Sequence, residues 1–380
     1  MKALPPRLAS LDAFRGFAIA GMVLVNNPGD WGALYPPLAH AAWHGWTFTD
    51  TIFPFFLFIV GVSMTISLDA RAAAGAGRAT LLRGLARRAA VIFAVGLLLN
   101  AVPRFDLETL RIPGVLQRIA LCTLLAAPIV LACTWRGVLG WLLGLVVAYS
   151  VLMLAVPVPD VHGVVAAGAL EPGRDFGAWL DRQLLGGHLW SVSRTWDPEG
   201  LASTLPAVAT LLAGVLTGRW LATATPAADK TVWLLLAGLA LLGLGTLLDG
   251  WLMPINKNLW TPSYAVFMAG WALLVFGAFF WLLDAAPSAA LRQAAGRLAK
   301  PLVIYGMNAL FIFAFSGLVA RLMGFFKLAD GRSLKQAWYA PLQALPLAPV
   351  QASLLWALGF NLVMFGVAWA MWRRRWFIKA

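Results

Sequence analysis

HAAWHGWTFTD at His40–Asp50 runs directly into TIFPFFLFIVGVSMTISL at Thr51–Leu68, so that a loop rich in His, Trp and Thr feeds an uncharged apolar run. A helix needs about 20 predominantly apolar residues to cross the hydrocarbon core, where every backbone polar group has to be satisfied within the segment. Thr51–Leu68 meets that need. Upstream, a second apolar run opens with LDAFRG (Leu11–Gly16) and closes on Asn26 and Asn27. The polar loop is thus held between two spans, a placement that points to proton chemistry at a membrane face.

Working outward, the whole chain has the same character. Its 380 residues are 61% hydrophobic and 12% charged, with a mean hydropathy of +0.79, far from a soluble globular composition. The fold expected is all-α, a polytopic integral membrane helix bundle. Ten spans are predicted: Leu11–Asn27, Thr51–Leu68, Ala89–Val102, Val115–Ala132, Gly137–Val156, Leu201–Leu221, Thr231–Trp251, Tyr264–Leu283, Pro301–Met323 and Leu354–Trp372.

A net charge of +13 would point to nucleic acid in a soluble protein. Here the basic residues fall in short clusters between apolar runs, and the rule that Lys and Arg collect on the cytoplasmic side accounts for them without a nucleic-acid partner. Alternate connections carry Lys2 and Arg7; Arg71, Arg78, Arg83, Arg87 and Arg88; Arg136; Arg219 and Lys230; Arg292, Arg297 and Lys300; and Arg373, Arg374, Arg375 and Lys379. Both termini are therefore expected in the cytoplasm. All four histidines fall on the opposite side, whose longest loop, about 157–200, carries Trp190, Trp196, Asp197 and Glu199. No internal repeat or linker divides the chain, so 1–380 is read as one domain. Cys122 and Cys133 lie eleven positions apart in one predicted helix, about 16 Å along its axis and too far for a disulfide.

Several residues carry a chemical reading beside a structural one. His40 can take a proton at physiological pH and return it, or simply hold the loop. Asp50 can orient the imidazole or cap the second helix. His40 and His44 make an H-x-x-x-H pair, yet no third ligand is evident and Gly45 points to a turn, so no metal is expected. Asn26 and Asn27 can donate to an oxyanion or cap the helix before Pro28. Asp12 and Arg15, charged within a span, can bind an anion or pair with each other. Gln117 and Arg118 sit at the outer end of the fourth span, where the arginine is a ligand group or a snorkelling one. INKNLWTPSY at Ile255–Tyr264 concentrates Asn256, Lys257, Asn258 and Trp260 in one outer loop, as an acceptor site or as part of an interfacial Trp belt. Asn308, inside a span, is a ligand group or interhelical glue.

Taken in order, LDAFRG, MVLVNNPG, HAAWHGWTFTD with FPFFLFIVG, RIPGVLQRIA, DPEGLASTLPA, INKNLWTPSYAVF and GMNALFIF resemble the heparan-α-glucosaminide N-acetyltransferase family in its shorter bacterial form, from Leu11 to about Phe313. The resemblance implies transfer of an acetyl group from cytoplasmic acetyl-CoA to the amine of glucosamine or a terminal glucosaminide on the periplasmic side of a bacterial inner membrane. It puts the family's catalytic histidine on His40 and its active-site asparagine on Asn26; Asp50 joins the candidate catalytic residues on its own reading, as the group that could orient the imidazole. Relatives without a second histidine carry Asn at the place of His44. The LDxxRG opening also looks like the wider group of transmembrane acyltransferases, which assigns Asp12 and Arg15 to the acyl donor, joined by Gln117, Arg118 and Asn308. Trp43, Asn256, Lys257, Asn258 and Trp260 are expected at the acceptor sugar. The partners implied are acetyl-CoA, an amino-sugar acceptor and the lipid bilayer, with a homodimer left open.

Two other classes of function fit the composition. A secondary transporter of sugars or amino sugars would also have ten spans with polar residues at mid-membrane. A lipid-handling or structural component would use its aromatic loops only as interfacial anchors.

Overall fold

The protein is described by a computed structural model covering residues 8–378. Lys2, Arg7 and Lys379, on which the charge asymmetry partly rests, and both chain ends lie outside the described residues. The described chain is predominantly helical. Its helices are α1 (Ala9–Val25), α2 (Phe48–Ala73), α3 (Arg78–Ala101), α4 (Val115–Ala132), α5 (Trp135–Ala155), α6 (Phe176–Leu185), α7 (Thr204–Leu221), α8 (Ala227–Trp251), α9 (Pro262–Phe280, prolonged by a π turn at Trp281–Ala285), α10 (Ala289–Met307), α11 (Ala309–Phe325), α12 (Leu334–Gln343) and α13 (Pro349–Arg373). One small hairpin, β1 (Val158–Pro159) against β2 (Val165–Ala166), lies in the long loop.

Seven helices are long and apolar enough to cross a membrane, or eight if α10 and α11, bent by 71° to each other, count as one span. The ten predicted spans are therefore not all met by this measure. The two that fall short are α1 and α3. With 17 residues, α1 carries Asp12 and Arg15, while α3 begins eleven positions before its predicted span and takes in Arg78, Arg83, Arg87 and Arg88. Helix α3 forms there because Leu81, Leu85, Ala89, Ile92 and Gly96 recur at helical spacing and are buried, leaving the arginines on other faces. A hydropathy window averages that stripe away.

Burial sorts the bundle into centre and rim. In the most apolar window of α2, 78% is buried, and in α7 72%, against 17% for α5 and 22% for α8 and α13. The centre closes on glycines: a Cβ at Gly61 would lie 2.0 Å from the Leu211 carbonyl oxygen, and one at Gly214 would lie 2.0 Å from that of Phe58. Helices α2 and α7 thus touch backbone to backbone, as small residues permit in membrane bundles. Phe14, Phe55, Phe58 and Phe276 fill the space beside that crossing.

Helices α1 and α2 run antiparallel. Arg15 donates to Ser63 at 2.8 Å, while Gly21, further along α1, faces Ile52 near the start of α2. The last turn of α1 and the first turn of α2 consequently share one end of the bundle, which carries Asn26, the His40 loop and Asp50.

Candidate active site

Helix α2 starts where Thr47 adopts an extended backbone, and Asp50 in the first turn folds back to accept the Thr47 N–H at 3.0 Å. This is one half of a capping box, favoured both by the hydrogen bond and by the positive end of the helix dipole. The same carboxylate oxygen takes the Ala41 N–H at 3.1 Å, and its other oxygen meets His40 Nδ1 at 2.6 Å. Asp50 is 2% exposed, so its charge is satisfied almost wholly by these donors. Tyr264, fully buried in α9, donates its hydroxyl to the Asp50 backbone carbonyl at 2.6 Å. The loop is further tied by Thr47 Oγ1, which donates to the Ala39 carbonyl at 2.6 Å.

This geometry gives Asp50 both roles the sequence left open: it caps α2 and orients the imidazole. A carboxylate accepting from Nδ1–H leaves the His40 Nε2 lone pair outward, and the His40 side chain is 46% exposed. That is the tautomer of a general base.

Asn26 is the C-cap residue of α1. Its backbone N–H goes to the Met22 carbonyl, and its exposed side chain meets no hydrogen-bond partner among the described residues. Asn27 divides the labour differently. Buried, it returns its amide to the Val23 carbonyl at 2.8 Å and so does the capping, leaving Asn26 available.

Behind the histidine loop lies a charged and aromatic layer. Arg111 donates two parallel hydrogen bonds to Asp197, at 2.8 and 2.6 Å, and a third to Glu199 at 2.6 Å, with Lys257 Nζ 4.0 Å from the other Glu199 oxygen. Burial by itself would raise the Glu199 carboxyl, but Lys257, Arg111 and Arg118 hold it below the usual carboxylate range. Arg111 is half-buried; desolvation lowers its basicity, but Asp197 and Glu199 outweigh that and raise it above the usual arginine value. Nearby, burial pushes the Asp181 carboxyl up to about 7; Asp197 and Asp175 add to the shift, and the Leu201 N–H and Arg118 oppose it. Trp196 packs edge-on against both Trp43 and Trp190, and Trp43 donates to the Leu170 carbonyl at 2.8 Å. The long loop between α5 and α7 is thereby fastened over this end of the bundle.

The residues expected at the acceptor separate into three kinds. Trp43 and Lys257 line the charged layer. Asn258 is half-buried with no side-chain hydrogen bond among the described residues. Asn256 and Trp260 are wholly buried. Asn256 accepts the Leu259 N–H at 2.9 Å and extends its amide to His44 Nδ1 at 3.3 Å. Trp260 donates to Thr210 at 3.1 Å and is packed by Arg118, Phe53 and Tyr264. It offers no open face on which a sugar can stack, because the apolar interior already takes both its ring and its N–H.

The residues expected at the acyl donor are also dispersed. Asp12 and Arg15 bond each other at 2.9 Å toward the far end of α1 from Asn26. Gln117 and Arg118 are buried near the start of α4. Arg118 donates to the Gly200 carbonyl at 2.8 Å and to Ser203, while its Nε and Nη1 and the Gln117 Nε2 have no partner among the described residues. Asn308 sits at the break between α10 and α11, donating to the Trp376 carbonyl and accepting the Ile378 N–H, both at 3.0 Å. In this structure it clasps the chain's own C-terminal segment.

Arg111, Asp181, Thr47 and Tyr264 were not singled out from the sequence. Arg111 stands in RIPGVLQR with no local mark, and only DPEG, two carboxylates two positions apart, hinted that a cation had to come from elsewhere. His40 and His44 do not share a helix face: Gly45, at φ +91°, turns the loop. Among the described residues no three His, Cys, Asp or Glu side chains gather as a metal-ligand set.

Residues 7–180 match the sequence model of the family described as heparan-alpha-glucosaminide N-acetyltransferase, catalytic. The chain is 30% identical over 338 residues to the heparan-alpha-glucosaminide N-acetyltransferase of Homo sapiens, covering 75% of this chain and 50% of that protein. It is 27% identical over 386 residues to that of Mus musculus, covering 87% of this chain and 56% of that protein. The chain spans about half the length of the curated relatives it matches. The matched region, which holds Asn26, His40, Asp50, Gln117 and Arg118, is similar to that catalytic family.

Proposed function

We propose, with that family as the premise, that the chain is a multi-pass membrane acetyltransferase that moves an acetyl group from acetyl-CoA to the amine of glucosamine or a terminal glucosaminide. The observation that carries the reading is the His40–Asp50 pair, an accessible imidazole whose Nδ1 is held at 2.6 Å by a buried carboxylate. His40 Nε2 takes a proton from the amino group as the nitrogen pair attacks the thioester carbon. The carbonyl pair moves onto oxygen, where the Asn26 amide donates to it. Collapse re-forms the carbonyl and expels the thiolate, which takes the proton back from His40.

Opposite ends of α2 fit the two substrates. The loop end presents His40 and the aromatic layer to an amino sugar. At the other end, a cavity of about 270 Å³ is lined by Thr65, Asp69, Arg78 and Arg219, and the buried Nη1 of Arg219 has no partner among the described residues. Cationic side chains in a low-dielectric recess suit the phosphates of the donor. With the basic end in the cytoplasm of a bacterial cell, the histidine end faces the periplasm, and the acceptor is a periplasmic amino sugar.

The test is thiol release from acetyl-CoA by the purified protein, with and without glucosamine, for wild type and His40→Ala. Glucosamine-dependent release that disappears in the variant is the expected result. No release with any amino sugar, together with uptake of a labelled amino sugar into proteoliposomes, would replace this reading with transport.

A further inference from the structure

The His40 loop holds two imidazoles, and their buried partners fix opposite proton positions. At His40 the partner is a carboxylate, which can only accept, so Nδ1 carries the hydrogen and Nε2 the lone pair. At His44 the partner is an amide, and the orientation of that amide is settled by its other contact. Asn256 Oδ1 accepts the Leu259 N–H at 2.9 Å, so Nδ2 is the end that faces His44 Nδ1, at 3.3 Å. An amide N–H pointing at Nδ1 requires a lone pair there, which puts the His44 proton on Nε2. Asn256 is rigid enough to impose this. It is 0% exposed, its own N–H goes to Thr261 Oγ1 at 3.0 Å, and the strand-like bridge beside it joins the Gly45 N–H to the Ile255 carbonyl at 2.7 Å. The His44 ring is exposed, and its Nε2 bonds nothing among the described residues.

We propose that His44 is a second catalytic residue of the acetyl transfer, its Nε2–H donating to the thioester carbonyl oxygen alongside Asn26, with Asn256 as the positioning residue that sets its tautomer. This rests on the acetyltransferase reading above. A sugar hydroxyl both donates and accepts, so a site that bound one would have no need of a fixed tautomer. A carbonyl oxygen only accepts, and its demand for a donor grows as the attacking amine drives the carbonyl pair onto it. A neutral imidazole can act as such a donor when its surroundings keep the proton in place. Base and donor stand four positions apart in the same loop, at most about 14 Å of chain.

Two measurements test this. The first is nitrogen NMR of the histidine-labelled protein, which has only four histidines; His44 is expected with a bare Nδ1 and His40 with a bare Nε2. The second is kinetics. His44→Ala should lower kcat by about 10²-fold with KM for acetyl-CoA little changed, the usual cost of one oxyanion donor. His44→Asn, which keeps an N–H donor, should recover most of that loss. Asn256→Asp, whose carboxylate draws the proton to Nδ1, should lower kcat while the His44 signal switches to the other tautomer. A protonated Nδ1 in the wild type, or wild-type kcat in His44→Ala, overturns the proposal. Absence of acetyl transfer in the wild type itself would instead sink the underlying reading, and this inference with it.

Discussion

The two ends of α1 show two uses of polar residues in an apolar bundle. At the Asn26 end, side chains are gripped on one side and open on the other: Asp50 and Asn256 hold the imidazoles, and the other ring nitrogens make no hydrogen bond among the described residues. At the Asp12 end the polar groups close on one another. Arg15 spans Asp12 and Ser63, and Asn308 holds the tail backbone. Backbones there meet through Gly16 and Gly306, where a Cβ would come within 1.7 Å of the Leu302 carbonyl oxygen and 2.1 Å of the Asp12 carbonyl oxygen, respectively. Around Asp12 and Arg15 the polar groups bond one another, whereas in the His40 loop each imidazole is held through one ring nitrogen.

That contrast can be broken most severely at Asp50. Asp50→Asn should leave α2 capped but free His40 to take the wrong tautomer, lowering kcat/KM by about 10³-fold or more with little change in thermal stability. Equal losses of stability and activity would instead make Asp50 a cap alone. The counterpart is Gly16→Val, which should destabilise the bundle by about 3 kcal/mol or more through overpacking against the α10 backbone, read as a lowered Tm in detergent. Full stability in that variant would show that the crossing can open.

A smaller effect is expected at Asn308. Replacing it by Ala leaves the Trp376 carbonyl and the Ile378 N–H without their partner, at a cost of about 1–3 kcal/mol. Faster proteolysis of the C-terminal segment with acetyl transfer preserved would place Asn308 with the assembly residues. A loss of acetyl-CoA binding would return it to the donor site. The finest distinction lies at Asp181. Its folded pKa of about 7 is raised from 3.8, so the fold favours the protonated acid; its contribution is present at low pH and is lost as pH rises through about 7. Thermal stability should fall between about pH 4 and pH 7, and Asp181→Asn should flatten that fall. An unchanged pH dependence would assign it to another group.

The histidine end was legible because its partners are close in sequence. Asp50 stands ten positions after His40, and a helix start after a Thr-rich turn brings the two together. Trp260 misled for the opposite reason: a Trp in an outer loop looks like a stacking surface, and only the packing of α2, α4 and α9 covers its faces. Arg111 was missed because its carboxylates lie more than 80 positions away.

By itself the sequence determined the all-α class, the long apolar helices and the clustering of polar and aromatic residues in the His40 loop, since each follows from local hydropathy, spacing and side-chain type. The tertiary structure decided which of those residues are open and which are consumed. That depends on where a buried carboxylate, an amide oxygen or a glycine crossing falls among helices distant in the chain, and a desolvated polar group takes whatever partner the packing brings within about 3 Å.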